Sequence, residues 1–387
     1  MSKVWWVKKD QLDDSQLEVI NDAGKGRGFI LIGPPGAGKT NLLMLAAAAM
    51  KKRHYENTRV VVFTRTLKDF VGRGLMTYGL DNGTVDSLAR IAYAIAREHG
   101  DVLDETSGFK EKQASWRQYF KKYLLPGNKI HRCYDALLLD ESQDFNSSEI
   151  RLLFATSGYT VFSIDINQSI YERSDELHEV FKLQIEEELK EYKLECHYRT
   201  GRRICRFADL VMEGRDGYQN MEDNSIYKES ERPSLVEYEN FDSDQTQEFE
   251  KIIARTSEQI NAYPGERIGI LFPTNVQIEA FRQHCAINHP YFLSNESPPD
   301  DGLTAELFVD TMHAAKGLEF AVVHIAGQQK LSSFATQRTL LYTSVTRGRY
   351  ACYITGSGKV PDYLTSAYRR LDGAAIFDTN SLFPRLI

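Results

Sequence analysis

Eight consecutive residues, Gly33-Pro34-Pro35-Gly36-Ala37-Gly38-Lys39-Thr40, constrain this chain more than any others. They satisfy G-x-x-x-x-G-K-[ST] at every fixed position, and their flanks fit the same device. Residues 28–32 (GFILI) read as a buried strand, and residues 41–50 (NLLMLAAAAM) as a helix of high intrinsic propensity. Strand, glycine-rich turn and helix N-terminus together make an anion cradle, because turn N–H groups point inward and the helix dipole adds positive charge. Gly36 and Gly38 let the backbone approach a phosphate without a Cβ in the way. Lys39 is then placed to reach the β- and γ-phosphates of a nucleotide, and the Thr40 hydroxyl to ligate Mg²⁺. A dinucleotide fingerprint fails here, since Gly36-Ala37-Gly38 is followed by Lys39, Thr40 and Asn41.

At 387 residues the chain is long enough for two to three domains, and its 42% apolar and 26% charged content is that of a soluble globular protein. The formal charge of −7 gives no global attraction for nucleic acid, so any phosphate-backbone binding needs a local basic groove. Five scattered cysteines form no C-x-x-C pair, so they indicate neither zinc nor a disulfide framework, which suits a reducing cytosol. The opening MSKVWWVKKD has no apolar core of a signal peptide, and no apolar run reaches the length of a membrane span. The expected location is cytoplasmic, with no membrane partner.

Further buried strands recur along the chain. Residues 60–65 form an apolar run suited to a central parallel strand. Residues 136–139 form another, with Asp140 and Glu141 at its C-terminal end, where ligands of open α/β sheets bind. Residues 159–165 form a third. Alternation with helical stretches predicts a parallel α/β domain of the RecA-like kind. A second set follows, with strands expected near 234–238, 268–272, 307–311, 321–326 and 350–354 and a helix over 339–346. Residues 69–81 read as a glycine-rich loop, and 183–193 as a solvated acidic helix face. The aromatic and basic residues of 99–130, including Trp116, Tyr119, Phe120 and Tyr123, read either as the core of a small subdomain or as a platform for a strand of nucleic acid. Gln16, just upstream of the glycine loop, could read an adenine edge, although taken alone it suits a solvent-facing position.

Phosphate transfer needs a metal carboxylate, a base for water, and positive charge on the γ-phosphate. Asp140 suits the metal role and Glu141 the base. From here the chain resembles a superfamily 1 helicase of the UvrD/Rep type, through motifs in order over nearly its whole length. Gln16 matches the adenine-reading glutamine, and residues 33–40 the first motif. Val62-Phe63-Thr64 resembles the next, whose phenylalanine stacks on a base. Gly83-Thr84-Val85-Asp86-Ser87 resembles G-T-x-H-S, and Asp140-Glu141-Ser142-Gln143-Asp144 matches D-E-x-Q-D. Asp165-Ile166-Asn167-Gln168-Ser169-Ile170-Tyr171 matches D-x-x-Q-S-I-Y, whose glutamine senses the γ-phosphate. Tyr198-Arg199 matches the element that sets a tyrosine on the nucleotide base and an arginine on the γ-phosphate. Residues 313–320 (HAAKGLEF) resemble the late motif whose glutamate, here Glu319, contacts the ribose. Residues 342–348 (YTSVTRG) match the last motif, with Arg347 as a second arginine finger.

The resemblance implies two RecA-like parallel-sheet domains, 1–190 and 191–387, with a small insertion at about 88–132 and an ATP site in the cleft between the domains. It implies ATP and Mg²⁺ as ligands, catalytic roles for Lys39, Glu141, Gln168, Arg199 and Arg347, and strand contacts at Phe63, Thr84, Tyr171 and His313. The activity implied is 3′→5′ translocation or unwinding on single-stranded nucleic acid, DNA in preference to RNA. Three departures stand out. Asp86 replaces a histidine and would repel phosphate. Glu172-Arg173-Ser174 replaces an F-R-G-like element. Only residues 286–310 occupy the place of the family's large inserted subdomain. These motivate a second expectation, an ATP-switched regulatory or assembly subunit working with a nuclease or a repair or defence partner.

Overall fold

The computed structural model describes residues 7–62, 65–105, 109–165, 167, 175–215, 218–296 and 307–373. The chain divides into two units, 1–196 and 197–387. The division falls six residues beyond the expected boundary, because residues 190–193 pair with a strand of the first unit.

In the first unit, α1 (Asp14–Asp22) precedes β1 (Gly28–Ile32), α2 (Lys39–Lys51), β2 (Thr58–Val62), α3 (Arg65–Gly74) and β3 (Val85–Ser87). Then come α4 (Leu88–Glu98), α5 (Phe109–Tyr123), β4 (Tyr134–Leu139), α6 (Ser147–Ala155), β5 (Ser157–Ile164), α7 (Asp175–Glu186) and β6 (Lys190–Lys193). The strands form one sheet in the order β3-β2-β4-β5-β1-β6, and every pairing is parallel. Both faces are covered by helices, so the central strands β1, β4 and β5 are buried almost throughout rather than alternating; β1 is buried at all of its positions. Parallel pairing also sends every strand's C-terminal end to the same edge. β5 lies between β4 and β1, with Ile32 opposite Ile164 and Leu139 opposite Phe162. The residues that follow these three strands therefore emerge side by side.

Local sequence explains the helices around that edge. Asp13 caps α1, accepting from the Gln16 N–H at 2.9 Å, and the Gln16 side chain accepts in return from the Asp13 N–H at 3.3 Å. The alanine-rich α2 lies on the sheet through Leu42, Leu43, Met44, Ala46, Ala47 and Met50, all buried. Two expectations are corrected here, and one open alternative is decided in favour of a core. Residues 69–74 of the expected 69–81 loop belong to helix α3, because Leu67, Val71 and Leu75 recur at four-residue spacing and bury one face. Residues 190–193 are an edge strand, with the Tyr192 ring packed edge-on against Phe29 at 5.2 Å. Trp116, Tyr119 and Phe120 are buried in the core, so they offer no stacking platform. Trp116 Nε1 and Arg117 Nε both donate to the fully buried Glu149 carboxylate, at 3.2 and 3.0 Å, which locks α5 onto α6.

The second unit runs α8 (Arg202–Met212), β7 (Leu235–Asn240), α9 (Gln245–Ala262), β8 (Ile268–Phe272), α10 (Asn275–Asn288), β9 (Leu307–Thr311), β10 (Phe320–Ile325), α11 (Ala335–Val345), β11 (Gly348–Gly356) and α12 (Asp362–Leu371). Its sheet has the order β7-β11-β10-β8-β9, again all parallel. α9 and α10 pack on β8 and β9 through Phe249, Ile252, Phe272 and Phe281. α8 packs with α11 and α12, where the Phe207 and Tyr368 rings stack at 5.6 Å. The fold class is thus the expected one, two parallel-sheet α/β units. The helix expected over 339–346 begins earlier, at Ala335, and Arg199 precedes α8 rather than lying in it. No described helix is long and apolar enough to cross a membrane.

His324 illustrates how tightly the second sheet is sealed. It sits fully buried in β10, donates from Nε2 to Gln259 Oε1 at 2.7 Å, and has no partner for Nδ1 among the described residues. Burial, with nearby Arg255 adding to it, depresses its pKa to about 3. Protonation would place an unsatisfied N–H and a charge in the core. The unfolded chain takes that proton near pH 6.5 and the folded chain does not, so stability is full above 6.5 and falls as pH drops toward 3. Urea unfolding followed by circular dichroism should lose about 1.4 kcal/mol per pH unit across that window from this group. His324→Gln should flatten the slope by that amount.

Candidate functional site

The edge where β1, β4 and β5 end carries the densest polar cluster of the first unit. After Ile32 the chain turns through the glycine loop, with Gly36 and Gly38 at φ 78° and 85°, and Gly38 then caps α2. The Gly33 N–H donates to Ile164 O at 3.1 Å, tying the loop's first residue to β5. Lys39 opens α2 and is nearly buried. Its Nζ donates to Gly33 O at 2.8 Å and Pro34 O at 3.1 Å, and lies 4.0 Å from Asp165 Oδ2. The ammonium is thereby held over the mouth of the loop, inside the ring of residues 33–38.

Thr40 is bound to the end of β4. Its Oγ1 donates to Asp140 Oδ2 at 2.8 Å, while Ser163 Oγ donates to Asp140 Oδ1 at 3.3 Å. Asp140 is almost wholly buried. Loss of water, reinforced by the neighbouring Glu141 charge, raises its pKa to about 6. A buried carboxylate of this kind favours a cation beside it. With the Thr40 hydroxyl it forms a hard oxygen pair, which fits Mg²⁺ better than a softer metal. Glu141 adopts the left-handed conformation at φ 50°. Such a φ is uncommon outside glycine and marks a backbone turned to serve its side chain. Gln143 Nε2 donates to Glu141 Oε2 at 2.6 Å, and Gln143 Oε1 accepts from the Asp165 N–H at 3.1 Å. One amide thus fixes the ends of β4 and β5 together.

Gln16 is buried, not solvent-facing. Its Nε2 donates to Ala37 O at 3.2 Å, which brings α1 to the glycine loop. Pro34 and Pro35 complete the loop between Gly33 and Gly36. Thr84 is buried, and its hydroxyl accepts from Lys51 Nζ at 2.9 Å, so it is engaged within the unit. The charge of Asp86 is compensated by Lys68 at 3.1 Å and Arg90 at 3.2 Å. That pairing tempers the repulsion of phosphate expected from Asp86 alone. Phe63, Gln168 and Tyr171 lie outside the described residues.

The second unit gathers its own group. Arg199 forms an ion pair with Glu319, and its Nη2 donates to Thr346 O at 3.5 Å. Arg347 follows Thr346 and is 3% exposed. Its Nε donates to Thr343 O at 3.0 Å, and its carbonyl accepts from the Phe320 N–H at 3.0 Å. Arg199 and Thr346, 147 positions apart in sequence, are thus neighbours, and the Gly201 N–H donating to Arg349 O at 3.1 Å ties their two segments together. Tyr198 is 43% exposed, and His313 is exposed in the turn after β9. Ser163 and the bridging role of Gln143 escape a sequence reading. The first is one of several hydroxyl residues in β5, with nothing local to single it out.

Residues 306–355 match the family model of the UvrD-like helicase C-terminal domain. That span runs from β9 into β11 and includes His313, Glu319 and Arg347. Among solved structures, the chain is similar to PRRSV helicase at 15% identity and a TM-score of 0.42, covering 88% of this chain and 54% of that one. It is also similar to the C-terminal domain of a possible DNA helicase from Lactobacillus plantarum WCFS1, at 18% identity and a TM-score of 0.33, covering 45% of this chain and 96% of that one. The chain therefore spans about half the length of the first of these. No curated protein sequence matches it.

Gly38→Ala tests the loop directly. A Cβ there meets Gln16 Nε2 at 3.4 Å and must adopt φ 85°. The left-handed penalty of roughly 1–2 kcal/mol should appear as lost stability in urea unfolding read by tryptophan fluorescence. Gly100→Ala, with nothing within 4 Å of its Cβ but the same left-handed φ, separates backbone strain from loop crowding.

Proposed function

We propose that this chain, with its UvrD-like helicase C-terminal domain, is an ATP-driven motor acting on single-stranded nucleic acid. One observation carries the reading: the glycine loop, Lys39, the Thr40–Asp140 pair and Glu141 converge on a single sheet edge. That set supplies a phosphate cradle, a hard-cation site and a base, the three things phosphoanhydride hydrolysis needs from one side. Loop N–H groups and Lys39 bind the β- and γ-phosphates, exchanging Lys39's contacts with Gly33 and Pro34 carbonyls for phosphate oxygens. Thr40 and Asp140 hold Mg²⁺, which when bound offsets phosphate charge. Glu141 accepts the proton of the water that adds to the γ-phosphorus as ADP leaves. Gln143 orients that carboxylate. Gln16 reads the adenine edge, and Tyr198 offers its ring face to the base.

The reaction also requires cationic donors on the γ-phosphate, and Arg199 and Arg347 of the second unit fill that role, with Gln168 as the phosphate sensor. Glu319 is assigned to the ribose. Its ion pair with Arg199 must open for both to engage nucleotide, so nucleotide competes with an internal contact. Alternate closing and opening around each hydrolysis would advance a bound strand. Phe63, Tyr171 and His313 are proposed strand contacts; Thr84 acts there through its backbone if at all, since its hydroxyl is bonded internally. Stacking on such a strand is worth ~1–3 kcal/mol per base, and phosphate contacts make binding weaken with salt. DNA and 3′→5′ polarity follow from the motif resemblance, and a cytoplasmic setting suits the five free cysteines.

The second reading is an ATP-switched subunit of a nuclease or a repair or defence assembly. It is favoured by the charge of −7 and by Thr84's internal engagement.

Two substitutions test the proposal. Lys39→Ala should abolish ATP turnover. Arg347→Ala should retain nucleotide binding yet lower kcat by ~10³-fold or more, the scale of an arginine finger. Steady-state turnover and fluorescent-nucleotide titration separate the two effects. Ordinary turnover by the Arg347 variant would remove the second unit from the reaction.

A further inference from the structure

In the second unit, three side chains converge that the proposed function does not use. Glu250 lies on α9, His284 on α10, and His289 at the C-terminal cap of α10. His284 Nε2 is 2.7 Å from Glu250 Oε1, and His289 Nε2 is 2.9 Å from Glu250 Oε2. The two imidazole rings are 6.0 Å apart, and the donor atoms of all three residues lie within 4.8 Å of one another. We propose that Glu250, His284 and His289 form a binding site for a divalent cation of the zinc class, stapling α9 to α10.

The donor set selects the ion. Two imidazole nitrogens and one carboxylate suit zinc and its borderline neighbours, whereas Mg²⁺ and Ca²⁺ take oxygen ligands. The site is therefore chemically distinct from the Thr40–Asp140 pair. Geometry needs little change. Ligand atoms around a tetrahedral zinc stand about 3.3 Å apart given bonds near 2.0–2.1 Å. The present separations of 2.7 and 2.9 Å must open by about half an ångström for an ion to enter. The Glu250 side chain is 45% exposed and can withdraw by that amount, while His284, 12% exposed and packed on the Phe249 ring, stays fixed.

A ligating Nε2 requires the other ring nitrogen to carry the proton. Asn288 stands 3.2 Å from His284 Nδ1. Its Nδ2 also donates to the His284 carbonyl at 3.2 Å, so this exposed amide swings aside when Nδ1 takes the proton. Three protein ligands leave a fourth position toward solvent, because Glu250 and His289 form the exposed side of the cluster.

Equilibrium dialysis of the tag-free full chain against zinc, with excess Mg²⁺ present, tests the site. One zinc per chain should be retained, and Co²⁺ in its place should give visible d–d bands of nitrogen and oxygen ligation. His289→Ala and Glu250→Gln should each weaken binding at least ~10-fold, the lower bound seen when even an outer-shell partner is disturbed. Both remove exposed groups, and melting curves in chelator check that they fold. His54→Asn, a surface histidine of the first unit, and Asp140→Asn should leave the zinc count unchanged. Uptake that does not saturate near one, or that survives the Glu250 and His289 changes, would overturn the assignment.

Discussion

The hydrogen bond from Thr40 to Asp140 joins the first turn of α2 to the end of β4, across 100 residues of sequence. It is possible only because β4, β5 and β1 run parallel and end on one edge. Asp140 is buried at that junction, and its ionised form is disfavoured until a cation or donor meets it. The neighbouring constraints follow the same logic. Lys39 is folded back onto Gly33 and Pro34, Gln143 spans Glu141 and the start of the segment after β5, and Gln16 closes on Ala37. The first unit thus gathers the glycine loop, Lys39 and the Thr40–Asp140 pair on one edge, with their polar groups bonded to one another.

No such cradle occurs among the described residues of the second unit, where two arginines gather instead. Arg199 and Arg347 reach the same end of their sheet from opposite ends of the unit's sequence. Glu319 sits with Arg199 rather than waiting for a sugar. A guanidinium held by a carboxylate keeps its orientation and stays charged at any relevant pH, and it can exchange that carboxylate for a phosphate at modest net cost. The geometry therefore reads as a stored arrangement of donors, compatible with a cycle in which nucleotide repeatedly displaces an internal partner.

Much of this was legible in the sequence because the strongest signals are local. The glycine loop announces its turn through residues whose φ values only glycine adopts comfortably, and Gly36 and Gly38 take them. Buried strands show as unbroken apolar runs. The failures have equally local causes. Residues 69–74 looked like loop because Gly72 and Gly74 obscure the Leu67–Val71–Leu75 spacing that in fact decides the helix. Lys190–Lys193 looked like a solvated helix face because three of its four residues are charged, yet an edge strand needs only Tyr192 inward. Gln16 looked solvent-facing because nothing in its neighbourhood reveals that α1 is brought to Ala37. The Glu250–His284–His289 cluster carries no sequence motif, since its members come from two helices whose packing must be known first.

Whether the molecule is a motor rests on coupling between nucleotide and strand, and steady-state ATP hydrolysis measured with and without single-stranded DNA or RNA addresses it most directly. The account predicts turnover that rises severalfold or more with a single strand and falls back as salt is raised, because the strand is held partly by phosphate contacts. Turnover that is present but indifferent to either polynucleotide, at every salt concentration, would contradict the motor and leave the switched-subunit reading in its place.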